Sequence, residues 1–334
     1  MNSADAGTPR KHCLLCGTVR DPLYSALRDR ICGTPGEFTV RECAKCGLAW
    51  LDGEPATEPH GEGYYTHVAD HERLAQQADT SPLARAALTT RLGYTGDAGT
   101  TGRLLAMLPP WRERCEALAL FLPAVTAGRL LDVGCGNGVF AARMRSLGWD
   151  VMCVEPDPRA ATAARGAFGL TVHSGTLESA ALPSGSFDAI ALGHVIEHVP
   201  DPIATLAECR RLLKPGGQLV AVTPNIRSLG RRMFGRHWMH WDVPRHRYLF
   251  SPDSLVEVAR RAGLRTVQAR TSARGARWAW RRSRQLTRHP VVADNGGAGT
   301  SRGPAAIAFQ LAETALASWS HAGEECLVLA TVES

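Results

Sequence analysis

Four cysteines near the amino terminus have the spacing of a metal site. Cys13-Leu14-Leu15-Cys16-Gly17 and Cys43-Ala44-Lys45-Cys46-Gly47 are two C-x-x-C-G knuckles. Two such turns can complete the tetrahedral thiolate shell that zinc prefers, and the glycine after each pair frees backbone N–H groups to donate to sulfur. A redox C-x-x-C needs only one motif beside a βαβ unit, so two paired knuckles ahead of that unit favour zinc. A shell of four cysteines leaves no open position. The zinc expected at Cys13, Cys16, Cys43 and Cys46 is therefore structural, compensating for a core too small to fold alone.

The second constellation is Leu130-Leu131-Asp132-Val133-Gly134-Cys135-Gly136-Asn137-Gly138, a buried strand running into a glycine turn that opens a helix. Such a turn lets backbone approach a ligand closely at the helix N-terminus. A dinucleotide fingerprint requires another glycine three residues after the second; position 139 is valine, and the spacing is G-x-G-x-G. Asp132 would face a pyrophosphate badly and suits the ammonium of a cationic amino-acid cofactor. The next strand ends in Val154-Glu155-Pro156, where the carboxylate can receive two ribose hydroxyls.

The third group is histidine-rich. His194, Glu197 and His198 follow another strand, and His246 lies further on. On a helix, positions 194, 197 and 198 share one face. With His246 they make a second candidate site for a divalent metal, where imidazole shifts preference from magnesium toward zinc or another transition metal. In a different reading His246 and His194 are the catalytic histidines, His246 acting as general base because imidazole titrates near neutral pH. The structural alternatives are packing and capping, with His246 held by Asp242 or Arg245.

The elements that position these groups alternate. Strands are expected at Arg129–Val133, Asp150–Glu155, Phe187–Leu192 and Gln218–Thr223, with helices at Val139–Leu147, Pro158–Phe168 and Pro202–Leu213 between them. That alternation predicts an α/β fold, a doubly wound sheet with helices on both faces. Leu264–Ala269 and Glu325–Val332 read as two more strands around a long insertion, 273–322. Ahead of the sheet, 1–60 reads as the zinc module, with short strands at Phe38-Thr39-Val40 and Leu48–Leu51. Residues 61–128 read as a helical cap and linker interrupted between Gly93 and Gly102, and 129–334 form the main domain.

Composition narrows the function classes. The 334 residues are 44% hydrophobic and 21% charged, as in soluble globular proteins, and no apolar run reaches the roughly 18–20 residues of a membrane span. The first ten residues carry no apolar core of a secretory signal, so the expected location is cytoplasmic and most of the ten cysteines are expected reduced. The net charge of +6 is carried by arginine, with lysine only at Lys11, Lys45 and Lys214. Arginine forks favour an anionic acceptor. Arg274, Arg277, Arg281, Arg282, Arg284 and Arg288 interleave with Trp278 and Trp280. This segment, 274–288, reads as a solvated face, with phosphate binding or peripheral contact with an anionic membrane as alternatives. Trp238-Met239-His240-Trp241-Asp242 reads as a wall of an acceptor pocket or as simple packing on the sheet.

Together LLDVGCGNG, CVEPDP, FDAIALGHVIEHVPDP, LLKPGGQLVAVTPN and DVPRHRYLFSPDSL resemble class I S-adenosylmethionine-dependent methyltransferases, especially the ubiquinone-biosynthesis-like subgroup, over 125–272 and 325–334. The resemblance implies a Rossmann-like methyltransferase sheet. It implies that Asp132, Gly134, Gly136 and Gly138, with Asn137 in the same turn, line the methionine end of S-adenosylmethionine. Glu155, with Pro156 behind it, takes the ribose, and Thr176-Leu177 flank the adenine. The acidic residue usual near the adenine amine has no counterpart in Gly175-Thr176-Leu177-Glu178. Lys214-Pro215-Gly216-Gly217 is a helix stop and turn.

The knuckles and Tyr64-Tyr65 also resemble a zinc-containing bacterial group that includes C-methyltransferases of nucleotide-linked deoxysugars. There a tyrosine-rich segment covers the active site, and the catalytic histidine precedes a Phe-Ser pair like Phe250-Ser251. His194, Glu197 and His198 are similar to the E-x-x-E-H metal site of plant small-RNA end methyltransferases and some ubiquinone-pathway enzymes, with His194 replacing the first glutamate and a distant histidine completing the shell. The expected function is methyl transfer to oxygen or carbon of a small molecule: a sugar, nucleotide-linked sugar or secondary metabolite. The alternatives are an RNA methyltransferase, disfavoured because no base-stacking sheet is evident, and a non-catalytic zinc- and cofactor-binding regulator.

Overall fold

The chain begins with three short strands, β1 (Pro22–Leu27), β2 (Phe38–Glu42) and β3 (Ala49–Leu51), followed by helices α1 (His71–Ala78), α2 (Pro82–Leu92), α3 (Gly99–Met107) and α4 (Pro109–Glu116). The alternating region comprises β4 (Arg129–Val133), α5 (Val139–Ser146), β5 (Asp150–Glu155), α6 (Pro158–Phe168), β6 (Thr171–Ser174), β7 (Phe187–Gly193), α7 (Pro202–Leu212) and β8 (Leu213–Pro224). Then come α8 (Leu229–Phe234), β9 (Tyr248–Leu249), α9 (Pro252–Arg261), β10 (Arg265–Ser272), α10 (Ala276–Arg288), α11 (Pro304–Trp319) and β11 (Glu325–Thr331). This computed structural model describes residues 10–53, 71–97, 99–126, 128–289 and 303–333. Tyr64, Tyr65 and the insertion's middle, 290–302, lie outside the described residues.

A polar residue followed by proline starts three helices of the sheet region, α6, α7 and α9. Asp157 accepts the Arg159 N–H ahead of Pro158, Asp201 accepts those of Ile203 and Ala204 ahead of Pro202, and Ser251 caps α9 reciprocally with Ser254 ahead of Pro252. Each cap satisfies donors that have no intrahelical partner, and proline at the first turn gives up an N–H that would be orphaned anyway.

The strands order as β10-β11-β8-β7-β4-β5-β6 in one seven-stranded sheet. β8, β7, β4, β5 and β6 run parallel, while β11 is antiparallel to both β8 and β10. Successive side chains of a strand face opposite sides, and the two cores show it. Leu131, Val133, Ile190, Leu192, Leu219 and Ala221 pack with Leu206 of α7 and Leu255 of α9. Leu130, Ala189, Ala191, Val220 and Val222 pack with Met144 of α5 and Ala161 of α6. Strand order reverses between β4 and β7, and a crevice at that point, beyond the carboxyl ends of the strands, is where such sheets bind ligands.

The described residues of the amino-terminal module, 10–53, are joined to the main domain: β1, β2 and β3 form a sheet whose fourth strand, β9, comes from beyond the large sheet's β8. Cys13, Leu15, Cys43, Leu48 and Trp50 belong to the same core cluster as β8 and α9. A stretch too small to bury its own apolar residues does so against the larger core. Positions 194–198 form a turn and not a helix, closed by the His198 N–H donating to the Val195 carbonyl at 2.9 Å. Among the described residues no helix is long and apolar enough to cross a membrane.

Candidate active site

β4 delivers Asp132 and the glycine turn, and β5 delivers Glu155 beside it. Asp132 is 3% exposed, and its Oδ2 has no hydrogen-bond partner. Burial, and then the neighbouring Glu155, push its carboxyl well above the usual range. A cation placed against Oδ2 would relieve that desolvation. Gly136 has φ +55°, and a β-carbon added to it would meet nothing within 4 Å, so the backbone here is open to a ligand. Glu155 Oε2 accepts the Gly136 N–H at 2.7 Å, and Oε1 accepts the Asp157 N–H at 2.9 Å. The carboxylate is thus oriented while each oxygen keeps a lone pair for a hydroxyl. Asn137 Oδ1 accepts the Val139 N–H at 3.4 Å at the start of α5, and Pro156 links Glu155 to the cap of α6. An ammonium, a ribose and a closely approaching backbone, the contacts that S-adenosylmethionine requires, fit these residues.

The turn after β6 stands next to Glu155, whose carbonyl accepts the Gly175 N–H at 3.0 Å. Thr176 is exposed there. Leu177 is 5% exposed and packs into the core, so of the pair only Thr176 presents an open side chain.

The histidine turn touches the glycine turn directly. A β-carbon on Gly134 would come within 2.4 Å of Val195 Cγ2. From this turn Glu197 and His198 meet His246, their ligating atoms all within 4.8 Å of one another. Glu197 is fully buried and neither of its oxygens has a well-formed hydrogen bond. His198 Nδ1 donates to the Arg245 carbonyl at 3.0 Å and His246 Nδ1 to the His240 carbonyl at 2.7 Å. Each ring is thus oriented through Nδ1, the arrangement in which a metal-ligating histidine offers its other nitrogen. Burial and then His246 hold His198 down at about 4, so it is neutral.

His194 stands outside this group. Its Nδ1 lies 3.3 Å from Glu197 Oε1 and its Nε2 3.0 Å from Glu325 Oε1. Burial opposes its charge, but the two carboxylates outweigh burial and carry it up to about 10. An imidazolium so placed has no lone pair to offer a metal or to accept a proton.

The four cysteine Sγ atoms also lie within 4.8 Å of one another, with Cys13 to Cys46 and Cys16 to Cys43 each at 3.4 Å. Sulfurs at the corners of a zinc tetrahedron with bonds of about 2.3 Å stand roughly 3.8 Å apart, close to the observed spacing. Each knuckle is closed by a glycine N–H, from Gly17 to the Cys13 carbonyl and from Gly47 to the Cys43 carbonyl.

One layer of the site had no expected counterpart. Glu313, Glu324 and Glu325 are buried together at the start of β11 and on α11. Trp238 Nε1 donates to Glu324 Oε1 at 2.7 Å, and His240 Nε2 stands 3.5 Å from the same oxygen. Asp29 of the cysteine region pairs with Arg245 at 2.7 Å. The only signal in the sequence was the acidic pair Glu324-Glu325 opening a buried strand. Trp238 and Trp241, 1% and 4% exposed, are packed inside. Arg282 is buried too, so 274–288 is not a uniform solvated face.

A methyltransferase-domain family model matches residues 109–269. The ubiquinone biosynthesis O-methyltransferase of Cereibacter sphaeroides is 37% identical over 165 residues, 46% of this chain and 66% of that protein. Its counterpart in Roseobacter denitrificans is 35% identical over 180 residues, 49% of this chain and 72% of that protein. The chain thus spans about two thirds of the length of these relatives. Among solved structures, an S-adenosylmethionine-dependent methyltransferase from Mesorhizobium loti aligns with a TM-score of 0.44 and 20% identity, over 68% of this chain and 99% of that one. The chain belongs to the class I S-adenosylmethionine-dependent methyltransferases.

Proposed function

We propose that this chain transfers a methyl group from S-adenosylmethionine to a hydroxyl oxygen of a small molecule held between the glycine turn and the Glu197, His198 and His246 cluster. The observation that carries the reading is the cluster itself: two imidazoles oriented through Nδ1 and a buried carboxylate without well-formed hydrogen bonds, joined to the glycine turn through Val195. Oxygen is favoured over carbon because the relatives that match are named O-methyltransferases.

When bound, S-adenosylmethionine supplies an electrophilic methyl on a sulfonium. Asp132 and Glu155 fix its two ends, so that the acceptor needs only alignment, deprotonation and a dry site. Glu197, His198 and His246 suit a divalent cation, which would supply acidity to a hydroxyl. In the second reading the site works without a metal and His246 Nε2 takes the proton, with Asp242 Oδ2, 3.7 Å away, stabilising the imidazolium. In either case Glu197 is held in place by His194. The four cysteines take one structural zinc that holds the two knuckles together, beside the core they share with the main sheet.

The test is an assay of methyl transfer to hydroxylated aromatics, sugars and nucleotide-linked sugars, with RNA as a parallel acceptor. The expected product is a methyl ether, and His246→Ala lowers turnover by roughly two to four decades while cofactor affinity is kept. Chelation at intact four-cysteine zinc separates the two readings: activity is lost only if the cluster works through a metal. Products methylated only on RNA would overturn the acceptor class, and cofactor binding with no transfer to any extract would point to a regulator.

A further inference from the structure

Between β1 and the carboxyl end of α10 lies a cavity of about 480 Å³ whose lining carries four arginines, Arg28, Arg30, Arg236 and Arg288. Its two lining carboxylates, Asp29 and Asp242, are both committed to Arg245, and Arg28 is held by Glu37 at 2.7 Å. Among the described residues no carboxylate pairs with Arg236 or Arg288. Arg30 bridges the two sides of the cavity by donating to the Leu286 and His289 carbonyls. It also meets His237 Nδ1 at 2.8 Å. Arginine has no acceptor, so His237 Nδ1 accepts and its Nε2 carries the hydrogen. Burial first, then Arg30 and Arg236, hold His237 below the usual histidine range. The lining thus offers two guanidinium forks and a neutral N–H.

An anion entering the cavity would be attracted by both Arg236 and Arg288, which line it and are paired with no carboxylate among the described residues. A monocarboxylate needs one fork, as Asp29 on Arg245 shows. Two forks and a further donor match the several oxygens of a phosphate. The volume falls in the range of small-molecule sites, and Leu27, Met239 and Leu286 give the rest of the lining an apolar surface.

We propose that this cavity binds a small phosphorylated molecule, a phosphate monoester or diphosphate ester, with its anionic group on Arg236, Arg288 and His237 and its organic part on Leu27, Met239 and Leu286. The site is separate from the methyl-transfer cluster but shares a wall with it. Asp242 faces the cavity and stands 3.7 Å from His246 Nε2, and Trp238 faces it with its ring 5.2 Å from that of His240.

Calorimetry of the full chain with phenyl phosphate, and separately with inorganic pyrophosphate, tests this at fixed salt. Saturable binding at one site per chain is expected. Arg236→Ala with Arg288→Ala should weaken it at least tenfold; both residues are exposed, so folding is spared. Arg284→Ala, exposed on the same helix, should leave it unchanged. S-adenosylmethionine affinity, measured on the same samples, should be unaltered in every variant, which separates failure here from failure of the methyltransferase reading. Absence of saturable binding by the wild type would overturn the proposal. So would an equal loss in Arg284→Ala, which would show attraction to a general basic face, or tighter binding of an RNA oligonucleotide at the same arginines.

Discussion

Val195 Cγ2 occupies the space that a β-carbon on Gly134 would need, 2.4 Å away. The first glycine of the cofactor turn is therefore required twice: for a φ of +70° and for contact with the turn that carries Glu197 and His198. Gly134→Ala should destabilise the fold by about 1–3 kcal/mol through overpacking and backbone strain, and should weaken cofactor binding. Adding Val195→Ala should recover the steric part only. Denaturant unfolding of the two variants checks this; a double variant no more stable than Gly134→Ala would mean that the contact is not the constraint.

Metal removal should not unfold 1–60 alone. β3 pairs with β9, Ser251 Oγ donates to the Cys46 carbonyl, and the cysteines share a core with β8. Cys13→Ser or Cys46→Ser should remove about one zinc per chain and lower global stability by on the order of 4 kcal/mol in one transition. Elemental analysis with scanning calorimetry measures both quantities. A metal-free wild type with unchanged stability would rule the zinc out, and two separate transitions would rule out the coupling.

Stability should fall as the solution becomes alkaline. Burial, and then Glu324, push Glu313 up to about 9, while burial pushes Glu324 up to about 7 against the Trp238 N–H that opposes it. Glu325 and His240 also face Glu324, and His240 is neutral because burial holds it well below its ordinary value. Both carboxyls have folded values above the ordinary 4.5, so the folded state holds more protons than the unfolded one. Their stabilising contribution is complete below about pH 4.5 and is lost as pH rises toward 9. Glu313→Gln keeps an acceptor for the Gly230 N–H and removes the titration. Its unfolding free energy should vary less between pH 6 and about 9, and should exceed the wild type's above about pH 8. Parallel curves for the two proteins would contradict the assignment.

The parts of this architecture legible in the sequence are those set by local rules. Arg129–Val133, Asp150–Glu155 and Pro158–Phe168 fall at their expected boundaries, because apolar runs, a glycine turn and an Asp-Pro cap each act within a few residues. The cysteine pairs and the Asp132 and Glu155 carboxylates were legible for the same reason. What escaped was set by distant pairing. β9 is two residues long and exists only because β3 is beside it, and β1 and β6 likewise lean on neighbours. Glu325 meets His194 across 131 residues, so no spacing rule could show that His194 would leave the metal-like group.

The most direct test of the account is calorimetric titration of the folded chain with S-adenosylmethionine and S-adenosylhomocysteine, repeated with Glu155→Ala. One site per chain is predicted, weakened in the variant by about 1.5–3 kcal/mol, or roughly one to two decades in Kd, because Glu155 would lose hydrogen bonds made by a charged group. A folded wild type that binds neither ligand, or that prefers NAD, would contradict the account.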